Sequence, residues 1–201
     1  LLPIAILLAF PYVFYVLRAI QPTTVIERIY DHHLKQIRYL GRRRSRGSFQ
    51  SPFYRNNYHR ELLESLNQLE NLLEYLSFKE PKLKIIQRLS QLLQIFIQIK
   101  PKVDPHFFEV GEAVHADVSF QTMIDQFPTL HHRATFYEQK VLRLFGNAYA
   151  QFLEEANFDL AALCGAELRR IGKVASSVED ASILDLVVVR FNTMMRFALK
   201  H

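Results

Sequence analysis

Residues 1–17 constrain the fold of this chain more than any other feature, because none of them is charged and the first charge is Arg18. As a helix rising 1.5 Å per residue they would span about 26 Å, close to the roughly 30 Å hydrocarbon core of a bilayer. Tyr12 and Tyr15 lie toward the charged end, where aromatic side chains anchor a span at the membrane interface. The sequence therefore predicts a transmembrane segment over 1–20, which we expect to be cropped at its start.

Two other interpretations of this segment are weaker. A secretory signal peptide needs a basic start and a small-residue cleavage site, and the segment has neither. A buried core helix normally keeps a polar face when it lies at the edge of a domain. A membrane span, in which Pro3 and Pro11 are tolerated, accounts best for the composition.

Basic residues concentrate directly after this segment. Eight basic and two acidic side chains lie between Arg18 and Arg46, whereas the rest of the chain has 17 basic and 18 acidic ones. The formal net charge of +5 therefore comes from this stretch alone. Because an excess of Lys and Arg marks cytoplasmic loops, we expect an integral protein of the inner or plasma membrane, with the bulk of the chain cytoplasmic.

The basic stretch also indicates a contact with lipid. Each basic side chain gains on the order of 1 kcal/mol beside an anionic leaflet. The predicted membrane contacts are Tyr12, Tyr15, Arg18, Arg42, Arg43, Arg44 and Arg46. Arginine runs also bind nucleic acid, but no basic excess follows this one, so no nucleic-acid partner is expected. A solvated loop and an acidic partner are the remaining alternatives.

Residues 21–48 are predicted to form a basic juxtamembrane helix and loop. Thr24 and Glu27 have the spacing of a capping box, and Gly41 marks the end of the helix. Apolar residues and one histidine repeat at spacings of three and four in between, at Val25, Ile26, Ile29, His33, Ile37 and Leu40. The pattern is typical of one amphipathic helix leaving the membrane.

The sequence LRAIQPTTVIER over residues 17–28, following a hydrophobic span, resembles a family of bacterial predicted integral membrane proteins of unknown function. In that family several spans run into a helix that opens with a similar Ile-Gln and Val-Ile pattern. The resemblance implies further spans before Leu1, and it implies no activity.

Residues 49–201 are predicted to form a cytoplasmic all-α domain. Its first part, residues 56–100, has the pattern of an αα-hairpin, with leucines spaced four and three apart in the first helix. The candidate partner-interface residues are Leu62, Leu66, Leu69, Leu73 and Leu76. Pairing within one bundle is the simpler interpretation of this stripe, and a parallel homodimer seam is the alternative.

The second part of this domain, residues 129–200, is predicted to contain three helices. Gly172 is read as a stop, and Ser176 with Glu179 as a second capping box. The last helix is expected to bury one stripe, made of Leu184, Val188, Phe191, Met195 and Ala198. Residues 107–120 fit a short helix or a strand equally well.

No catalytic or metal-binding residues can be nominated. The pairs His32-His33 and His131-His132 point about 100° apart on a helix, whereas ligands need a shared face. A composite site would have to draw on His106, His115, Asp117, His131 or His132. The single Cys164 has no local base, so it is predicted to be a small buried packing residue.

The function that fits these features is a membrane-anchored cytoplasmic interaction module, serving as a scaffold, assembly or regulatory subunit of a membrane complex. Its expected partners are the membrane and other protein subunits or a second copy of the chain, without a cofactor. A subunit or fragment of a multi-span channel or transporter is the alternative. A helical enzyme with a composite histidine site is the third possibility.

Overall fold

The computed structural model describes residues 21–42, 47–117 and 135–200. Regular structure within these residues is helical throughout, which confirms the all-α class. The α-helices are α1 (Pro22–Leu40), α2 (Pro52–Tyr75), α3 (Lys79–Ile99), α4 (Glu112–His115), α5 (Phe136–Glu154), α6 (Phe158–Ser177) and α7 (Ala181–Ala198). Single 3₁₀ turns lie at Ser48–Gln50, Lys100–Lys102 and Pro105–Phe108.

Helices α3 and α6 lie side by side and run in the same direction. Near the start of both helices, Lys82 Nζ lies 2.7 Å from Glu155 Oε1. Glu155 follows α5 and lies three residues before the first residue of α6. Near the end of both, Lys100 Nζ lies 3.0 Å from Asp180 Oδ2. Ion pairs that match start to start and end to end require parallel axes.

Helix α1 packs on another side of α3 in the same direction. Glu27, in the second turn of α1, forms ion pairs of 2.8 Å with Lys84 and 2.7 Å with Arg88. At the other end, a Cβ added to Gly41 would lie 3.5 Å from the Cβ of Ile99. Helix α3 is therefore central, with α1 and α6 as its most extensive neighbours.

Helices α2, α5 and α7 run the opposite way, so the chain reverses its direction after each of α1, α3 and α6. Glu138, in the first turn of α5, pairs with Lys100 at the end of α3. The bundle thus has two ends. We call the end with Pro22, residues 76–78, residues 155–158 and Leu199 the Pro22 end. The end with Gly41, residues 100–104 and Asp180 is the Gly41 end.

The core is continuous along the bundle and has an aromatic cluster toward the Gly41 end. Phe107 contacts the rings of Phe49, His59 and Phe136 with centroids 4.9–5.7 Å apart. Phe96 of α3 meets Tyr137 of α5 at 4.4 Å. Through Phe49 and Phe107, these contacts pack the 3₁₀ turns Ser48–Gln50 and Pro105–Phe108 against the long helices.

Several local predictions were wrong at helix termini. Gln21, not Thr24, precedes the first turn of α1. Gly172 lies inside α6, which continues to Ser177. Asp180 caps α7 by accepting a hydrogen bond from the Ile183 amide, whereas Glu179 has φ of +57° and serves the turn. A capping-box pattern identifies competent residue types, but packing of the neighbouring helices decides which of them begins the helix.

The region that the sequence left open as helix or strand contains no strand among its described residues. The 3₁₀ turn Pro105–Phe108 and helix α4 lie in it, and irregular residues 109–111 join them. Residues 118–134 lie outside the described part. The predicted helix from residue 129 is seen from Phe136 onward.

None of the helices in the described ranges combines the length and apolar character needed to cross a bilayer. The predicted transmembrane segment over 1–20 lies outside those ranges and stays a prediction.

Candidate functional site

The most distinctive surface of the described chain is an open groove between α6 and α7, with a volume of about 700 Å³. The two helices are antiparallel, and a Cβ added to Gly172 would lie 3.4 Å from Val187 Cγ1. The groove lining comprises Gly165, Ala166, Leu168, Arg169, Gly172, Lys173, Ser176, Leu184, Val187, Val188 and Phe191.

The groove exists because α6 presents very small side chains on this face. A Cβ placed on Gly165 would meet no atom within 4 Å, so nothing from α7 fills the space in front of it. The small residues Ala161, Ala162, Gly165 and Ala166, spaced as on a helix around Cys164, favour close approach of another helix. Ala161 is buried, but Gly165 and Ala166 line the groove instead.

Helix α7 leaves an apolar stripe uncovered along this groove. Val188, Phe191 and Met195 are 55%, 45% and 46% exposed, whereas the buried side chains of α7 are Ile183, Leu186, Val187 and Met194. The predicted buried stripe is therefore wrong by about one residue of helical rotation. The first half of α7 has apolar side chains on more than one face, so two adjacent stripes both have helical spacing. The neighbouring helices determine which of the two stripes is buried.

The groove continues toward the Pro22 end. A second concavity of about 310 Å³ shares Gly165 and Phe191 with the first, and it is lined further by Tyr149, Leu153, Phe158, Ala161, Ala162, Met194 and Met195. From Phe158 to Ser176, α6 rises about 27 Å. The combined groove therefore has the length of a partner helix of about 18 residues.

The charged residues that line the groove are both basic. Among the described residues that border its two parts, Arg169 and Lys173 carry charge, and both are exposed on the α6 rim. The rest of the lining is apolar or small. An apolar floor with a basic rim is complementary to an amphipathic helix that has acidic residues beside its apolar face.

A separate cavity lies between α2 and α5, and its acidic and basic side chains are equal in number. Lys140 Nζ lies 3.4 Å from Glu70 and 3.2 Å from Asp117, and Arg143 lies 3.3 Å from Glu70. These residues line the cavity together with Arg60 and Glu64. Because acids and bases balance within it, this cavity has less capacity for a charged ligand than the α6–α7 groove.

The predicted partner-interface leucines lie elsewhere, in the core of the single chain. Leu62, Leu66 and Leu69 are fully buried, Leu73 is 4% exposed and Leu76 is half-buried. Since this chain's own helices cover α2, the four buried leucines are not available to a partner. The 4-3-4 spacing correctly predicted that this face of α2 is buried, but it does not specify whether a partner or the same chain covers the face.

The predicted lipid contacts are only partly within the described residues. Tyr12, Tyr15, Arg18, Arg43, Arg44 and Arg46 lie outside them. Arg42 follows α1 and is exposed at the Gly41 end, and α1 separates it from Pro22 by about 28 Å. Contact of these arginines with the leaflet stays a prediction.

Two histidines are buried structural residues. His33 Nε2 lies 2.8 Å from the Tyr137 hydroxyl, and burial lowers the pKa of His33 to about 3. His59 Nε2 lies 2.7 Å from the Phe107 carbonyl, and burial lowers its pKa to about 4. In the described part of the chain, no three His, Cys, Asp or Glu side chains are arranged to hold a metal.

Cys164 is fully buried in α6, which confirms its predicted packing role. Burial raises the pKa of the thiol to about 12. Since the thiolate is the nucleophilic form, the environment suppresses the reactivity of this cysteine.

Phe158, Arg169 and Lys173 are not among the functional residues predicted from the sequence. The available signal was the row Gly165, Arg169, Gly172 and Ser176, which repeats at four and three and so lies on one face of α6. A stripe of small residues that contains a cation can indicate one wall of a groove. The exposed side chains of α7 were needed to recognise the groove itself.

No protein-family model, curated protein or solved structure matches this chain.

Proposed function

We propose that this chain is a membrane-anchored helical interaction module whose α6–α7 groove docks one amphipathic helix of a partner subunit, with acidic residues flanking the apolar face of that helix. The uncharged residues 1–17 are the proposed anchor. The remaining helices form the proposed cytoplasmic scaffold that presents the groove.

The observation that carries this proposal is the uncovered stripe of α7. Val188, Phe191 and Met195 are large side chains kept about half exposed beside Gly165. Contiguous exposed apolar surface of this kind marks interaction sites. Met195 adds an adaptable side chain of the type that peptide-binding grooves use.

The basic rim selects the chemistry of the occupant. Arg169 and Lys173 are separated by one turn of α6 and lie along one wall of the groove. Carboxylates one turn apart on a docked helix would face them. A helix with lysines at those positions would be repelled, so the groove discriminates between partners by charge as well as by shape.

The test uses the full chain in nanodiscs and a fluorescent peptide of about 18 residues, with leucines on one helical face and glutamates on both sides of it. The expected result is saturable binding in fluorescence anisotropy. We expect it to be at least tenfold tighter than binding of a matched peptide with lysines in place of the glutamates. Empty nanodiscs report binding to lipid alone.

Matched variants assign the binding to the groove. Phe191→Asn is expected to weaken binding of the acidic peptide at least tenfold, whereas Phe53→Asn, at an exposed phenylalanine outside the groove, leaves it unchanged. Arg169→Glu together with Lys173→Glu removes the preference for the acidic peptide, and Lys102→Glu does not. Equal affinity for both peptides, or no effect of Phe191→Asn, would refute the proposed docking site.

A further inference from the structure

The Pro22 end of the bundle carries a second group of exposed apolar side chains, of which Phe158 also lines the second concavity of the groove. Tyr75, Phe78, Phe158 and Leu199 are 84%, 72%, 67% and 83% exposed. They come from three places that are far apart in the chain, because Tyr75 and Phe78 both belong to the connection between α2 and α3. Tyr75 ends α2, Phe78 precedes α3, Phe158 begins α6 and Leu199 follows α7.

The alternating directions of the helices bring these four residues to the same end. Lys79, next to Phe78, forms an ion pair with Asp159, next to Phe158. Met195, one turn before Leu199, lines the same concavity as Phe158. Among the remaining large apolar residues that are exposed in the described part, Phe53 and Tyr54 begin α2 at the Gly41 end, and the others line the groove.

The chain also enters the bundle at the Pro22 end. Helix α1 begins at Pro22, and its Glu27 pairs with Lys84 and Arg88 in the first half of α3. Residues 1–17, which contain no charge, are connected to this end by only a few residues. If they span a bilayer, the exposed aromatic residues of this end are the part of the bundle nearest to the membrane surface.

The charges at this end indicate that apolar insertion, not net positive charge, provides the contact. Asp159 and Glu155 are paired with Lys79 and Lys82. Glu74, Glu80 and Glu154 are also exposed here, as are Arg196 and Lys200, so the described residues of this end carry no basic excess. Tyrosine and phenylalanine side chains that insert at the head-group boundary bind mainly through buried apolar area.

We propose that the Pro22 end of the bundle rests on the bilayer interface, with Tyr75, Phe78, Phe158 and Leu199 inserted at the level of the lipid head groups. This inference rests on the proposed membrane anchor at residues 1–17. It orients α1 along the membrane normal and places Arg42 on the side of the bundle away from the bilayer. It also directs one end of the α6–α7 groove toward the membrane.

The chain has no tryptophan, so a single introduced tryptophan reports its own environment without background. The full chain is reconstituted into vesicles of phosphatidylcholine and phosphatidylglycerol, in variants Phe78→Trp, Phe158→Trp and Phe53→Trp. Phe53 is the matched control because it is 78% exposed at the Gly41 end. Circular dichroism checks that each variant keeps its helix content.

Brominated lipid should quench Phe78→Trp and Phe158→Trp at least twice as strongly as Phe53→Trp. Their emission should shift to the blue on reconstitution, and this shift should persist at high salt because apolar insertion is not screened. Quenching of Phe53→Trp in place of the other two would reverse the orientation and overturn the inference. Equal, weak quenching at all three positions would also overturn it and would leave the Pro22 end free for a protein partner.

Flotation of the vesicles after an alkaline wash separates failure of this inference from failure of the proposed function. A chain that floats with the lipid but shows no quenching at Phe78→Trp and Phe158→Trp retains the anchor and contradicts only the interface contact. A chain that the wash removes from the vesicles contradicts the anchor itself, and the inference with it.

Discussion

Lys100 Nζ lies 2.7 Å from an Oε of Glu138, a carboxylate that is fully buried at the start of α5. Burial lowers the pKa of Lys100, but the charge and hydrogen bond of Glu138 outweigh it and raise the pKa above its usual value. Burial raises the pKa of Glu138. The same ammonium also reaches Asp180, the capping residue of α7, so one lysine joins α3, α5 and α7.

We expect Lys100→Met to destabilise the bundle by about 3–5 kcal/mol, because it leaves the Glu138 carboxylate buried without a cation. Lys102→Met is the control, since Lys102 is exposed two residues away, and we expect it to change stability by less than about 0.5 kcal/mol. Adding Glu138→Leu to Lys100→Met should recover much of the loss, because both buried charges are then gone. Urea unfolding of the full chain in detergent measures all three, and equal stability of the two lysine variants would contradict the pairing.

Stability is expected to fall as the pH decreases below about 6.5. The pKa values of His33 and His59 are lowered by burial from 6.5 to about 3 and about 4, so between these values and 6.5 the unfolded chain binds more protons than the folded one. Each histidine then costs about 2 kcal/mol at pH 5, and it costs little above pH 7.

Unfolding of the His33→Asn variant at pH 5 and pH 7 isolates the contribution of that histidine. The difference in unfolding free energy between the two pH values should shrink by about 2 kcal/mol relative to the unsubstituted chain. His32→Asn, at an exposed neighbouring position, should leave the difference unchanged. If both variants kept the full difference, burial of His33 would not be its cause.

Cys164 should resist thiol reagents in the folded chain. Burial excludes the reagent and raises the pKa of the thiol to about 12, so the reactive thiolate is scarce at neutral pH. With the disulfide reagent DTNB, we expect modification of Cys164 at least a hundredfold slower than that of a cysteine placed at the exposed Ala162 in the variant Ala162→Cys. Comparable rates would show that α6 opens frequently, and denaturant should abolish the difference.

Gly165 and Gly172 should respond in opposite ways to the same enlargement. Gly165→Leu projects into the open groove, so we expect stability to be unchanged or raised by up to about 1 kcal/mol, because glycine is a poor helix former. Gly172→Leu places its side chain against Val187 and should destabilise the bundle by about 1–3 kcal/mol.

Binding of the acidic peptide to the Gly165→Leu variant tests the groove. Gly165→Leu should weaken it at least tenfold by filling the groove while the fold is retained. If Gly165→Leu bound the peptide as well as the unsubstituted chain, the peptide would lie somewhere else.

Local features were predictable where they depend on a few neighbouring residues. The end of α1 at Gly41, the burial of Leu62, Leu66 and Leu69 along α2, and the burial of Cys164 all followed from spacing and residue type. These predictions succeeded because helical periodicity repeats every three to four residues and is written in the chain itself.

The candidate site was not predictable in this way. The same periodicity assigned Val188, Phe191 and Met195 to the core, and the structure leaves them along a groove. A helix that is apolar on several sides has more than one stripe with the right spacing. The choice between stripes is made by the helices that pack against it, here α5 and α6.

By itself, the sequence determined that the described chain is helical, where most of its long helices run, and that its excess of basic over acidic residues lies between Arg18 and Arg46. Only the tertiary structure decided that Arg42 and Pro22 lie at opposite ends of the bundle, that Phe78 and Phe158 share the Pro22 end, and that α7 keeps one apolar stripe uncovered. Helix formation depends on local propensity and periodicity, whereas ends, grooves and exposed stripes depend on the directions in which separate helices pack, and no short stretch of sequence encodes those directions.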